Sequence, residues 1–430
     1  MGTTTDPQKI EFTACHFLVF LSITGYDTIE ANLAGFTDLL MKEAGKPVSG
    51  ANMELQFGLM HLRETAKLEL EEEVIEDNEE RTASVRYVPI GVGVGIVPWI
   101  YPVVLGLGKL DAAVLTGNTF IWKPSPYSPY TALKLGELAA KIFPPGVVQV
   151  LSGDEGLGPL LTAHPDVARI SFTGSTATGK KVMAACAKTL KRLTLELGGN
   201  DAAIVCEDVD VAKVVQKVQI GPMAFLHAGQ VCMEIKRLYV HEKIYSEFLK
   251  QLVDLVKQFK IGGAGDTEAF FGPVQNRMQF NKLQNLYSEI PKQGWQVALG
   301  GIENQRSKTE GFFMPPTIID NPPDDSRIVV EEPFGPIVPV LKWSDEEDVI
   351  ARANNTNMGL GASVWSKDID RARRMAKRLE AGSLWVNTHF ELAPYVPFGG
   401  HKWSGVGMDW GTVGMKGWCN AQAIWVRKDL

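Results

Sequence analysis

The chain has 430 residues, of which 45% are hydrophobic and 22% charged, a balance that excludes a disordered chain, a collagen and a coiled coil. That length exceeds the roughly 250–300 residues at which a single core stops growing, so two or three domains are expected. The formal charge of −7, with no basic stripe, excludes a surface suited to nucleic acid or to an anionic membrane.

Residues 1–6 lack the basic start of a secretory signal, and the apolar run Phe17-Leu18-Val19-Phe20-Leu21 is too short to span a bilayer. Cys15, Cys186, Cys206, Cys232 and Cys419 form no C-x-x-C pair, and the seven histidines form no ligand-spaced cluster. A cytoplasmic location, no disulfide framework and no structural metal are therefore expected. The acidic run over 69–81 reads as a solvated face.

After Pro89, apolar strands alternate with helical stretches. Strands over 92–98 and 119–122 precede a helix over 130–143, and a strand over 168–173 precedes a helix over 177–190. The same rhythm gives strand 202–206 with helix 209–226, and strand 237–241 with helix 244–259. It continues with strand 337–342, helix 345–353, strand 362–365, helix 369–379 and strand 383–387. Such alternation predicts an α/β chain with parallel sheets. Gly198 and Gly199, directly after an apolar strand over 193–197, mark the expected boundary between two α/β domains.

Three stretches carry potential chemistry. The segment 174–181 (Gly-Ser-Thr-Ala-Thr-Gly-Lys-Lys) opens a helix, where free backbone N–H groups and the helix dipole hold phosphate. Lys181 stands where a nucleoside-triphosphate loop needs Ser or Thr, which leaves a dinucleotide pyrophosphate as the fitting anion. Gly91-Val92-Gly93-Val94-Gly95 lacks the last glycine of a dinucleotide fingerprint and reads as a tight packing site. Cys232, in Gly229-Gln230-Val231-Cys232, has small and polar neighbours suited to an accessible thiol, whereas Glu196 is one carboxylate in an apolar run, where a raised pKa is expected. A thiol and a desolvated carboxylate are the components of covalent acyl chemistry.

These motifs occur in one fixed order with Pro98-Trp99, Gly117-Asn118-Thr119, Lys123-Pro124-Ser125, Phe172-Thr173-Gly174-Ser175, Leu195-Glu196-Leu197-Gly198-Gly199, Glu332-Pro333-Phe334-Gly335-Pro336 and Pro397-Phe398-Gly399-Gly400. In that order, from about Leu33 to the C-terminus, the chain resembles the NAD(P)-dependent aldehyde dehydrogenase superfamily. The resemblance implies a Rossmann-like cofactor domain (1–64 and 89–198), an α/β catalytic domain (199–411) and a small β oligomerisation element (65–88 and 412–430). It also implies a homodimer or homotetramer, with the acidic run and Tyr87 in a hairpin and residues 422–426 in a tail strand. Cys232 then resembles the nucleophile that adds to an aldehyde and becomes a thioester, and Glu196 the base that activates water to hydrolyse it. NAD or NADP would be held by Trp99, Lys123, Ser125, Gly174, Ser175, Leu197, Glu332 and Phe334. Tyr101, Met233, His389, Phe390 and Phe398 suggest a pocket for an apolar or aromatic aldehyde.

Two departures stand out. Ile100 replaces the asparagine that normally follows Pro-Trp and donates to the oxyanion, so a slower enzyme is expected. Family members also usually begin several dozen residues earlier, so the cofactor domain is expected to lack its first elements. A catalytically weakened, cofactor- or partner-binding member and thioester or esterase chemistry without redox are the alternatives these residues leave open.

Overall fold

The computed structural model describes residues 24–216, 220–301 and 311–429. The chain start, the apolar run over 17–21 and Cys15 lie outside the described residues. Among the described residues no helix is long and apolar enough to cross a membrane.

The first of two large sheets has six strands in the spatial order Gly405–Val406, Arg192–Glu196, Val167–Thr173, Val92–Ile96, Thr119–Lys123 and Val148–Val150. All are parallel except the Gly405–Val406 edge. Alternate side chains enter two cores. Phe120 and Trp122 pack with the helices Pro102–Leu115 and Tyr130–Ile142, while Val94, Ile170 and Phe172 face Val182 and Cys186 of the helix Thr176–Ala187. The chain leaves Val92–Ile96 to build strands on one side and returns to build Val167–Thr173 on the other. The order therefore reverses between those two strands, and a crevice opens beyond their C-terminal ends. Pro98-Trp99 follows one of these strands and Gly174-Ser175 the other.

Between Glu196 and Asp201 the chain passes into the second sheet. Its seven strands run in the order Gln296–Leu299, Thr317–Asp320, Ile337–Trp343, Ile235–His241, Asp201–Val205, Gly361–Trp365 and Ser383–Val386, with only the first antiparallel to its neighbour. Helices cover both faces, so Ile235–His241 is buried throughout. The helix Tyr245–Val256 shows how the cover forms: Tyr245, Phe248, Leu252 and Val256, spaced three or four apart, make one buried stripe.

A third, antiparallel sheet joins the hairpin Glu73–Asp77 and Arg81–Pro89, which holds most of the acidic run, to the tail strand Cys419–Arg427. Val74, Ile75, Trp425 and Val426 are exposed on it.

Two helices show where the sequence pattern gives out. The helix expected over 209–226 is described as Val211–Gln216 and Ile220–Met223, with 217–219 outside the described residues, and it gives way to a 3-10 turn Leu226–Gly229 in which His227 and Ala228 are left-handed at φ 50° and 57°. Pro222 removes a helical N–H there, and the chain must turn to deliver Cys232. The helix Pro102–Leu115 went unread because it is buried on nearly every side and so shows no amphipathic period.

Asn118 ties the junction of the first and third sheets together. Its Oδ1 accepts from the N–H groups of Ile90 (2.7 Å) and Gly91 (2.8 Å), and its Nδ2 donates to the carbonyl of Trp418 at 2.9 Å. Asn118→Ala strands these backbone groups and is expected to cost about 3 kcal/mol by chemical denaturation. A loss below about 1 kcal/mol would contradict this role.

Candidate active site

Cys232 lies between the turn Leu226–Gly229 and the strand Ile235–His241. Gln230 fixes the loop: its Nε2 donates to the carbonyl of His227 at 2.8 Å, and its Oε1 accepts from the N–H of Gln275 at 2.9 Å. Two other loops close on it, backbone against backbone. A Cβ on Gly229, itself at φ +72°, would stand 2.0 Å from the carbonyl oxygen of Gly335, and one on Gly199 would stand 2.4 Å from that of Cys232. Close approach of backbone to backbone thus explains glycine in two motifs that are distant in sequence.

Burial pushes the Cys232 thiol up to about 12; Lys236 lowers it, and Glu332, Asp201 and Glu196 raise it further. The resting sulfur is therefore a thiol, and its proton needs an acceptor.

Glu196 ends the strand Arg192–Glu196, where the sheet passes its backbone to Thr173 on one side and Gly405 on the other. The side chain is 3% exposed, and neither carboxylate oxygen has a partner among the described residues. Burial raises its pKa well above the usual carboxylate range, nearby Asp409 raises it further and Lys109 opposes. Lys109 and Asp409 form a buried ion pair at 2.5 Å, and Ser171 accepts from Lys109 at 2.8 Å. Sequence reading missed this pair because its members come from a buried helix and a late loop.

The residues assigned to a nicotinamide dinucleotide lie along the crevice. Ser175 caps the helix Thr176–Ala187 by accepting from the N–H of Thr178 at 3.3 Å, which leaves the N–H groups of Thr176 and Ala177 without an intrahelical acceptor. Leu197 packs under this helix start, against Gly179. Lys123, at a strand end, donates to the carbonyl of Pro124 at 3.1 Å, and the hydroxyl of Ser125 accepts from the N–H of Tyr127 at 3.2 Å. On the other side, Phe334 meets Trp99 edge-on with ring centroids 5.7 Å apart. The carboxylate of Glu332 accepts from the N–H of Gly199 at 3.1 Å. Anion-binding amides, an ammonium, a carboxylate for hydroxyl groups and two aromatic faces form a donor set that fits such a cofactor. No group of His, Cys, Asp and Glu among the described residues is arranged to hold a metal ion.

Cys232 opens onto a cavity of about 250 Å³ whose walls include Phe57, Ile100, Tyr101, Met233, Phe390 and Phe398. Glu54 is its one charged wall residue, and that carboxylate is already engaged by Lys46 at 2.5 Å and by the N–H of Val103 at 2.8 Å. His389, expected in the pocket, instead braces it: its ring bonds the hydroxyl of Ser363 at 2.9 Å and the carbonyl of Met233 at 3.0 Å. Ile100 is 5% exposed and presents no donor to the cavity.

The model of the Aldehyde dehydrogenase family matches residues 24–424. Aldehyde dehydrogenase LUC3 of a Fusarium species is 42% identical over 393 residues, covering 91% of this chain and 82% of that protein. Retinaldehyde dehydrogenase 3 of Homo sapiens is 35% identical over 407 residues, covering 93% and 78%. The crystal structure of Mycobacterium tuberculosis aldehyde dehydrogenase complexed with NAD+ superposes with a TM-score of 0.91 at 28% identity, over 97% of this chain and 86% of that one.

The buried Glu196 carboxyl links stability to pH. Its raised pKa means that its contribution to the folded state is present at low pH and is lost as pH rises from the ordinary carboxylate range to the folded value. Glu196→Gln removes that loss, so its thermal-stability gain over wild type is expected to be larger at pH 8 than at pH 5. An equal gain at both pH values would contradict the desolvated carboxyl.

Proposed function

This chain belongs to the aldehyde dehydrogenase family, and on that premise we propose that it oxidises an apolar aldehyde to the carboxylic acid through an acyl thioester on Cys232. The observation that carries the reading is Cys232 opening onto an apolar cavity, with Glu196 a buried carboxyl whose two oxygens have no partner among the described residues and whose charge is felt at the thiol.

Glu196 takes the thiol proton, directly or through one water, and the sulfur adds to the aldehyde carbon held among Phe57, Tyr101 and Phe398. NAD or NADP, when bound there, would supply the hydride acceptor for that carbon. Glu332, Phe334 and Trp99 would hold the nicotinamide end of that cofactor, Lys123 and Ser125 the adenosine side, and the helix start at Gly174 and Ser175 the pyrophosphate. Once its proton is shed, Glu196 takes a second from an attacking water; the C–S bond breaks, the acid leaves and the Cys232 thiolate is restored. The Lys109–Asp409 pair sets the field in which this carboxyl titrates.

The cavity wall supports an alkyl or aromatic substrate without charge, because a charged tail would find no free partner there. Retinaldehyde dehydrogenase 3, one relative, is named for a long apolar aldehyde. The exposed Trp425 and Val426 on a nine-residue edge strand support assembly of this chain with further copies of itself.

Absorbance of reduced cofactor, followed over an aldehyde panel with NAD and NADP, tests the reading. Alkyl and aromatic aldehydes are expected to turn over, and Cys232→Ala to abolish turnover; activity retained by Cys232→Ala would overturn it. Ile100 leaves the oxyanion short of one donor, a loss typically worth about 10²–10³ in kcat. Ile100→Asn is therefore expected to raise kcat by about tenfold or more; an unchanged or lower kcat would contradict the missing-donor account.

A further inference from the structure

Lys236 belongs to none of the motifs above, yet its ammonium sits on the backbone carbonyl of Cys232 itself. It is the second residue of the buried strand Ile235–His241 and is only 3% exposed. Its Nζ donates to the carbonyls of Val231 and Cys232, both at 2.7 Å, and to that of Glu234 at 3.3 Å. The Glu332 carboxylate stands 3.9 Å away. An ammonium with this little water needs such partners, because an isolated buried charge costs several kcal/mol, on the order of the value for breaking a buried pair.

The surrounding charges are unevenly arranged. Facing Lys236 are Asp201, Glu234 and Glu332, and on the far side the ring of His389, which burial holds down at about 4 and therefore neutral. Facing the Cys232 thiol are Lys236, Glu332, Asp201 and Glu196, with the Tyr101 phenol, which burial keeps protonated. Every carboxylate in that set disfavours a thiolate. Lys236 alone among them favours it.

We propose that Lys236 is a positioning residue for Cys232: through three carbonyls it fixes the loop that carries the sulfur, and through its charge it stabilises the thiolate against the encircling carboxylates. Its contact with Glu332 also joins the nucleophile loop to the loop assigned to the nicotinamide end of the cofactor. The inference rests on the reading of Cys232 as nucleophile.

The test is the rate of Cys232 alkylation by iodoacetamide between pH 7 and 9.5 in the full-length protein, resolved by peptide mass so that Cys15, Cys186, Cys206 and Cys419 do not contribute. Lys236→Met is expected to slow alkylation about tenfold at every pH, equivalent to displacing the profile by about one unit to higher pH. Glu332→Gln releases the Lys236 charge and is expected to move the profile the other way, with alkylation several-fold faster. A loss of packing alone would not give shifts of opposite sign. An unchanged profile in folded Lys236→Met overturns the proposal. If that variant does not fold, Glu332→Gln decides alone: an unchanged or slower rate overturns it. Failure of the parent reading shows separately, as aldehyde oxidation that survives Cys232→Ala.

Discussion

The meeting of three loops at van der Waals distance is the constraint on which the rest of this structure depends. One leaves the first sheet at Glu196 and turns through Gly198 and Gly199; a second carries Gly229 to Cys232; a third carries Glu332 to Pro336. With a Cβ excluded at 2.0 Å on Gly229 and at 2.4 Å on Gly199, the backbones themselves touch. Interiors packed this tightly do not deform gradually. The sulfur, the carboxylate and the cofactor crevice are therefore held in fixed relation by main chain, which is stiffer than any side-chain arrangement.

That rigidity supports an expensive electrostatic state. The site gathers Glu196, Asp201, Glu234 and Glu332 with few cations, and burial raises every one of these carboxyls. In water such groups would ionise and separate. Here the fold keeps them together and dry, so each holds its proton to a higher pH than it would in water. Burial pushes the Cys232 thiol up to about 12 and shifts the Glu196 carboxyl in the same direction, so the two groups move together instead of apart. On the proposed reading, the same dryness favours apolar substrates and makes a missing donor at Ile100 more costly than it would be in solvent.

How far the sequence showed this depends on the range of each interaction. Cys232 and Glu196 were legible because each is a reactive group in a setting of the wrong polarity, small and polar for the thiol, apolar for the carboxylate. The α/β rhythm was legible because the periods of strands and helices are local. The helix Pro102–Leu115 was not, since a helix buried all round has no period to detect. Lys109 and Asp409, 300 positions apart, meet only through the tertiary fold, as do His389 and the Met233 carbonyl. Lys236 was invisible for a subtler reason: a lysine in a strand reads as solvent-facing, and only the turn at Cys232 brings three carbonyls to its head group. The left-handed His227 and Ala228 likewise follow from where the loop must arrive rather than from their own preferences.

The central claim is that Cys232 carries the acyl group and Glu196 releases it, and trapping the acyl enzyme tests it most directly. Glu196→Gln, mixed with an apolar aldehyde and oxidised cofactor and then quenched, should show the acyl mass on the Cys232 peptide and a burst of about one reduced cofactor per subunit, followed by turnover slowed about 10²-fold or more. Steady turnover at the wild-type rate with no adduct on Cys232 would contradict the account.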